Sequence, residues 1–242
     1  MRFLLVVILF GGIMGVAWSQ DKTATQTGQA ALESLGETLF ANEKSESELA
    51  KLLTQAYAAE SAANPGREQQ LNLAQILIYQ SIFHRQRNRP QESDQALSKA
   101  EALVQAVYTP NDSLANQELA DIRSRLMGLR GLGYIMANSG AINDLALKTL
   151  QLEPNNVVAA TIVAFGKINT PPLFGGSPDV AIDTFQKLLA RGDITKINRF
   201  TALLGMASAY KKKNDGPQRQ KALEAARAIF PANPDLLKAG QD

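Results

Sequence analysis

Residues 204–234, with the sequence LGMASAYKKKNDGPQRQKALEAARAIFPANP, decide the fold that this chain adopts. The segment opens with small and aliphatic residues that suit a helix, and the basic run Lys211–Lys213 marks that helix's C-terminal end. Asn214–Gly216 then supplies a turn, and Pro217 suits the first position of a second helix. Pro231 ends the second helix. The segment therefore predicts two helices joined by a short turn.

The same arrangement recurs along the chain from about residue 30. Apolar residues follow helical spacing nearly everywhere in this region, and no convincing alternating run of the kind that strands show is present. The breaks that close successive helix pairs fall roughly forty residues apart, at Pro65, Pro110, Pro154, Gly192 and Pro231. Because one hairpin cannot bury its apolar face alone, we predict an all-α solenoid of about four to five stacked helical hairpins.

The long helical segment that starts near Ser113 must contain one of these turns. We place the turn at Asn138–Gly140, because three turn-forming residues follow one another there. Gly128, Gly131 and Gly133 precede that turn, and each lowers helix stability by about 1 kcal/mol relative to alanine. We therefore expect these glycines to allow neighbouring helices to approach closely.

Two of the predicted units resemble tetratricopeptide repeats (TPR). The unit at 204–234 is similar to the family's order of L-G-x-A-x-x-Y, a turn, A-L-x-x-A and a proline. The unit at 129–156, LRGLGYIMANSGAINDLALKTLQLEPNN, is similar to it as well, with Gly140 at the turn. The resemblance covers roughly residues 67–240. It implies a right-handed superhelix whose concave inner face binds a protein or peptide.

The segment 170–185, TPPLFGGSPDVAIDTF, resembles an inter-helix loop of exported bacterial TPR-like proteins. These proteins include the helical T component of tripartite periplasmic solute transporters. From the residues alone, the prolines stop one helix, the glycines supply unusual φ angles and the serine caps the next helix. Leu173 and Phe174 are expected to fill the gap between stacked units. The residues assigned to this structural inter-helix loop are Pro171, Pro172, Phe174, Gly175, Gly176 and Ser177.

The first nineteen residues have the pattern of a secretory signal peptide. Arg2 is followed by an uncharged apolar run, and the small residues Ala17 and Ser19 predict cleavage before Gln20. The run 3–19 is shorter than the ~20 residues that span a bilayer, and no cysteine follows for lipid attachment. We predict a periplasmic or extracellular protein without stable membrane insertion, with a signal peptide at 1–19, a disordered lead-in at 20–29 and a TPR-like domain at 30–242.

The composition excludes most kinds of catalytic site. The chain has no cysteine and one histidine, His84, whereas zinc sites commonly need three or four Cys, His or carboxylate ligands. A Ser-His-Asp triad would have to use His84 as its base. A net charge of +2 gives no reason to expect nucleic acid as a partner. We expect no catalytic residue, no metal and no cofactor in a protein that is not an enzyme.

The strongest positive cluster is HRQRNR at residues 84–89, at a predicted helix end where cations complement the helix dipole. Exposed basic runs also attract acidic surfaces. The cluster therefore supplies candidate partner contacts, which are His84, Arg85, Arg87 and Arg89.

Three functions follow from these observations. The first is an exported TPR-like scaffold or adaptor that binds a protein or peptide partner in the cell envelope. The second, from a different class, is a small-molecule or lipid-binding accessory protein of a solute-uptake system, with an enclosed apolar channel. The third is a carboxylate-based wall hydrolase, since 23 acidic residues are available for acid-base chemistry.

Overall fold

The computed structural model describes residues 28–61 and 65–241, and within those ranges it contains helices and short connections without strands. The predicted signal peptide and its cleavage site at Ser19 and Gln20 lie outside the described residues. Residues 28 and 29, which were predicted as the end of the lead-in, are already helical. The expectation of an all-α chain is confirmed for the described residues.

The helices follow one another with short connections, and most of them begin at a capping side chain. Ser45, Asp112, Asn156, Ser177, Thr195 and Asp215 each accept a backbone hydrogen bond at a helix start. A 3-10 turn, Pro172–Phe174, lies between the sixth and seventh helices. The helices are α1 (28–41), α2 (Glu46–Glu60), α3 (Arg67–Gln86), α4 (Pro90–Val107), α5 (Ser113–Leu152), α6 (Val157–Asn169), α7 (Pro178–Leu189), α8 (Lys196–Lys212), α9 (Gly216–Ile229) and α10 (Pro234–Gln241).

The long element α5 is two helices separated at Gly131, whose φ of 75° and ψ of −165° are not helical. The first helix, α5a, covers 113–130, and the second, α5b, covers 132–152. Ala120 of α5a and Ala146 of α5b share one buried cluster. Beyond the end of α5b, Asn156 donates a hydrogen bond of 2.8 Å to Gln117 near the start of α5a. The two helices are therefore antiparallel, and α5 is a hairpin with a single glycine at its turn.

The predicted turn at Asn138–Gly140 is wrong, because these residues lie inside α5b. The Asn138 side chain donates to the carbonyl of Tyr134, one helical turn earlier, at 2.9 Å. The chain reverses where glycine adopts a positive φ, which other residues rarely accept.

The close-approach role expected of Gly128, Gly131 and Gly133 is also wrong, since a Cβ at each of them would meet open space. Close approach occurs instead at Gly205, which lies against the ring of Phe185. A side chain at position 205 would have to displace that buried ring, which forms part of the core between α7 and α8.

Four consecutive hairpins form the array: α3 with α4, α5a with α5b, α6 with α7, and α8 with α9. Each hairpin packs against the next, and the first helices also contact one another, as α3 does with α5 and α6 does with α8. Because the helices alternate in direction, all the hairpin turns lie at one end of their hairpins and all the connections at the other. The prediction of an array of stacked helical hairpins is confirmed for the part of the chain that the structure describes.

The two ends of the array are joined through α1. The ring of Phe40 lies 6.0 Å from that of Phe200 in α8 and 5.8 Å from that of Phe230 after α9. Gly36 fits between two first helices, because a Cβ there would come within 2.6 Å of the Tyr79 hydroxyl and 2.7 Å of Ile197. In an open solenoid each repeat contacts only its neighbours. Here the first and last hairpins share one hydrophobic core.

We expect Gly131→Ala to lower the free energy of unfolding by about 1–3 kcal/mol, because alanine does not tolerate this backbone conformation. The matched control is Gly133→Ala, two residues away in a helical, open position, where alanine should stabilise by up to about 1 kcal/mol. Urea unfolding of both variants measures the difference. Equal stabilisation of the two would show that the turn does not lie at Gly131.

Candidate functional site

The arginines of the predicted basic cluster make ion pairs within the chain. Arg85 pairs with Asp235 of α10 at 2.8 Å, and Arg89 pairs with Glu46 of α2 at 2.6 Å. Arg87 lies over the ring of Phe83, with its guanidinium carbon 3.9 Å from the ring centroid. The two ion pairs connect the end of α3 to α2 and α10, which come from opposite ends of the chain. The arginines therefore have a structural role. Their contact with a partner stays a prediction.

His84 lies next to these arginines and is partly buried. Its ring packs edge-on against Phe83 with centroids 5.4 Å apart, and its buried Nδ1 has no hydrogen-bond partner in the described part of the chain. Burial lowers the pKa of this imidazole, and the nearby Arg89 and Arg87 lower it further. Glu92 opposes this shift, but burial and the arginines outweigh it and disfavour the charged imidazolium.

The loop between α6 and α7 lies where the sequence predicted it, and its ends are anchored. Ser177 donates its backbone N–H to the carbonyl of Lys167 at 2.8 Å, and the Lys167 ammonium donates to the carbonyl of Gly175 at 3.0 Å. Gly175 has a φ of 86°, as expected. Gly176 does not share that positive φ, and it is instead in close contact with the carbonyl of Thr170.

The expectation that Leu173 and Phe174 fill a gap between units is wrong. Leu173 is 88% exposed and Phe174 is 75% exposed. The physical reason is the anchoring at Lys167, Gly175 and Ser177, which closes the base of the loop and leaves the 3-10 turn outside the core. Two large apolar side chains therefore face solvent at the turn of the third hairpin.

Helix α5b carries a second exposed apolar feature, which was not predicted from the sequence. One face of this helix is buried through Ile142 and Ala146. On the outward side of the helix, Leu132 is 71% exposed, Met136 is 77% exposed, and Leu147 is also exposed. Spacings of four and eleven residues keep these three on one side of a helix. A helix that is apolar on both faces is ordinarily buried on both, so this face lacks a partner within the described chain.

The exposed face of α5b also differs from those of the other second helices in its charge. Residues 131–143 contain no charged side chain. By contrast, the exposed surface of α7 carries an ion pair between Lys187 and Asp183 at 2.7 Å, and that of α9 carries Lys221 and Glu224. The absence of charge from residues 131–143 is visible in the sequence and could have predicted this exposed apolar face.

These two features lie at the same end of adjacent hairpins. The start of α5b follows the turn of the second hairpin, and the 3-10 turn Pro172–Phe174 is the turn of the third. The hairpins themselves are neighbours, since α5 packs against α6. We call the two features together the tip surface and define it by Leu132, Ile135, Met136, Leu173 and Phe174.

A buried carboxyl lies elsewhere in the core, on α5a. Glu118 is 4% exposed, and its Oε2 makes no hydrogen bond within the described residues. Burial, reinforced by the nearby Asp121, raises the pKa of Glu118 to about 8. Burial likewise raises the pKa of the neighbouring Tyr79. Arg125, which would oppose the shift at Glu118, is hydrogen-bonded to Asp121 at 3.0 Å. Glu118 is therefore protonated at neutral pH.

A surface cleft of about 750 Å³ lies between α1, α8 and α9. Its walls carry charges of both signs, and three of these charged residues engage one another or the backbone. Lys196 pairs with Glu37 at 2.9 Å, and Arg199 donates to the carbonyls of Leu189 and Arg191 at 3.0 Å. The cleft offers a polar wall with an apolar floor at Phe230.

The described ranges offer neither a metal site nor a membrane-spanning helix. Across residues 28–61 and 65–241, no three or more His, Asp or Glu side chains are grouped so that they could hold a metal ion. Over the same part of the chain, none of the helices has the length and apolar character needed to cross a membrane.

Comparison with known proteins gives a distant likeness of fold. No model of a known protein family and no curated protein matches the chain. Two crystal structures of nearly identical TPR-like repeats from Podosopora anserina, described as a candidate kinesin light chain, align with 82% of this chain at 16% identity. They are covered over 93% and 94% of their own lengths, with TM-scores of 0.37 and 0.35, and the first is a single-substitution variant. A likeness this distant says nothing about a partner.

The raised pKa of Glu118 predicts a pH dependence of stability. Between pH 4.5, where an ordinary glutamate titrates, and pH 8, the unfolded chain releases a proton that the folded chain retains. Stability therefore falls as the pH rises through this window. Glu118→Gln should be more stable than the wild type by roughly 2–4 kcal/mol at pH 8.5, with the difference much reduced at pH 4. The control is the exposed Glu224→Gln. A difference that is independent of pH in urea unfolding would contradict the assignment.

Proposed function

We propose that the chain is an exported, non-catalytic scaffold that binds a protein partner through the tip surface. The observation that carries the proposal is the outward apolar face of α5b, which is exposed and carries no charge from residue 132 to residue 143, although the helix is already packed through Ile142 and Ala146. Monomeric proteins rarely expose contiguous apolar patches larger than roughly a few hundred Å², and patches above that size mark interaction sites. Leu173 and Phe174 extend the patch from the neighbouring hairpin.

The tip surface is a different binding site from the concave groove that a resemblance to TPR proteins implies. Helix α1 packs against the first helices α3 and α8, which would line such a groove, through Gly36 and Phe40. A peptide would have to displace α1 to reach them. The second helix α5b has no such cover, and we therefore place the partner on that side of the array.

We also propose that the chain is exported and has no catalytic activity. The single histidine is a partly buried residue at the end of α3, and the carboxyl of Glu118 is 4% exposed within the core. Because a substrate has no access to a carboxyl buried at that depth, Glu118 is not placed to serve a carboxylate-based hydrolase, and a binding role is favoured. Export rests on the pattern of residues 1–19 and predicts a mature chain that begins at Gln20.

Small-molecule binding is the second candidate, and the cleft between α1, α8 and α9 favours it. A volume of about 750 Å³ lies within the range of roughly 300–1,000 Å³ that ligand sites occupy. Native mass spectrometry of the purified chain tests this candidate, because a bound molecule would add a defined mass that is lost on unfolding.

The proposed surface is tested by photo-crosslinking in cells. A photoreactive amino acid at Met136 or Phe174 should give specific protein adducts, identified by mass spectrometry. The same probe at the exposed Leu237 of α10 should not give them. Asp substitution at Leu132 should abolish the adduct formed from position 174, because burying a carboxylate costs binding energy. Identical adduct patterns from all three probe positions, or none from any, would refute the surface.

A further inference from the structure

The basic turn between α8 and α9 is joined to the loop that carries Leu173 and Phe174. Lys213 caps the C-terminal end of α8 and makes an ion pair with Asp179 in the first turn of α7. Asp179 comes five residues after Phe174 in the sequence. The ion pair therefore holds the basic run Lys211–Lys213 at the base of the loop with the two exposed apolar side chains.

The charges that surround this loop are mainly positive. The loop itself has no charged side chain from residue 168 to residue 178. Lys211 and Lys212 are exposed, and they make no ion pair within the described part of the chain. The Lys167 ammonium is held by a backbone carbonyl at 3.0 Å rather than by a carboxylate. The dipole of α8 favours cations at its C-terminal end, but it does not remove their net charge.

The carboxylates that flank the loop and the basic turn are already engaged. Asp179 pairs with Lys213, and Asp215 caps α9 by accepting a backbone N–H at 3.1 Å. The surface around the loop therefore presents two apolar side chains among cations that lack a carboxylate partner in residues 65–241. A local excess of one charge attracts groups of the opposite sign, so this surface favours an acidic partner.

The loop presents its apolar side chains from a fixed backbone. Its turn is closed by hydrogen bonds from Phe174 to the carbonyl of Pro171 at 2.9 Å and from Gly175 to the carbonyl of Pro172 at 3.0 Å. The two consecutive prolines restrict the backbone further. A binding segment that is already ordered loses less entropy on association. Leu173 and Phe174 are therefore suited to anchor a partner by inserting into a pocket on it.

These features fit a protein pocket better than a lipid bilayer. A single acyl chain, which buries more apolar surface than two side chains, binds membranes only marginally. Clusters of roughly four to eight basic residues typically mark binding to anionic lipids, and only Lys211 and Lys212 are exposed without an ion pair beside this loop. Protein interfaces, by contrast, have an apolar centre with polar and charged residues at the rim, which is the arrangement found here.

We infer that the partner is a protein with an acidic binding site, in which a pocket takes Leu173 and Phe174 and carboxylates at its rim pair with Lys211 and Lys212. The inference rests on the proposed function, because it names the chemistry of the partner proposed there. The apolar pair supplies most of the affinity, whereas the lysines orient the partner and speed its association.

Photo-crosslinking from position 174 tests the inference, with the full chain and a detergent extract of the cell envelope. Lys211→Glu together with Lys212→Glu should lower the yield of the specific protein adduct by about 10-fold or more, because like charges then meet across the interface. The matched control reverses the exposed Lys51 of α2 and Lys99 of α4 in the same way, and it should leave the yield unchanged. The attachment site on the captured protein should lie beside Asp or Glu residues.

Two further pairs of substitutions separate the effect of charge from an effect on helix α8. Lys211→Arg with Lys212→Arg keeps both charges and should keep the adduct yield. Lys211→Gln with Lys212→Gln should give a lower yield than the wild type at about 50 mM NaCl and an equal yield at about 500 mM, because salt screens exposed charge pairs. Circular dichroism should show the same helical content in both. A wild-type yield that responds neither to salt nor to charge reversal would overturn the inference.

Lipid vesicles test the competing class of partner. Phe174→Asp should not change the fraction of the full chain that sediments with vesicles of phosphatidylcholine and phosphatidylglycerol. A fraction that falls in this variant would assign the loop to an anionic lipid surface and overturn the inference. A specific protein adduct from position 174 that survives charge reversal would leave the proposed function standing without an acidic partner. The absence of any specific adduct from position 174 and from Met136 would overturn both.

Discussion

The packing of Phe40 between Phe200 and Phe230 is the contact on which the rest of the structure depends. Stacked hairpins alone would form an open array with two exposed apolar ends. The three rings, with centroids 5.3–6.0 Å apart, join helices almost two hundred residues apart in the sequence. Asn233 supports the contact by donating a buried hydrogen bond to the carbonyl of Phe40 at 2.9 Å. The array is thereby closed around its own first helix.

Closure determines which surfaces are left for binding. The first helices α3 and α8 are covered by α1, and the arginines at the end of α3 are paired with Glu46 and Asp235. The outward faces of most second helices are charged, as solvated faces ordinarily are. Helix α5b is different because its two faces are both apolar. The same geometry that fills the inside of the array leaves this helix as its most apolar outer element.

Local sequence signals made much of this fold predictable, and the wrong predictions have two causes. Proline and glycine breaks located the connections between hairpins because they act on the backbone within a few residues. The turn at Gly131 was missed because Asn138–Gly140 carries a stronger turn signal, although only a single positive φ was needed. Contacts such as Phe40 with Phe200 depend on the path of the whole chain. For the same reason, the exposure of Leu173 and Phe174 could not be read from their apolar character.

Hydrogen exchange of α1 tests the closed array most directly. An isolated helix of this length is marginal in water, so protection of residues 36–41 reports their packing against α8 and Phe230. The closed array predicts that these amides are protected to the level of the α8 amides. Phe200→Ala should remove most of that protection while the amides of α5 stay protected. Rapid exchange of residues 36–41 in the wild type, or protection that Phe200→Ala leaves intact, would contradict the closure of the array by α1.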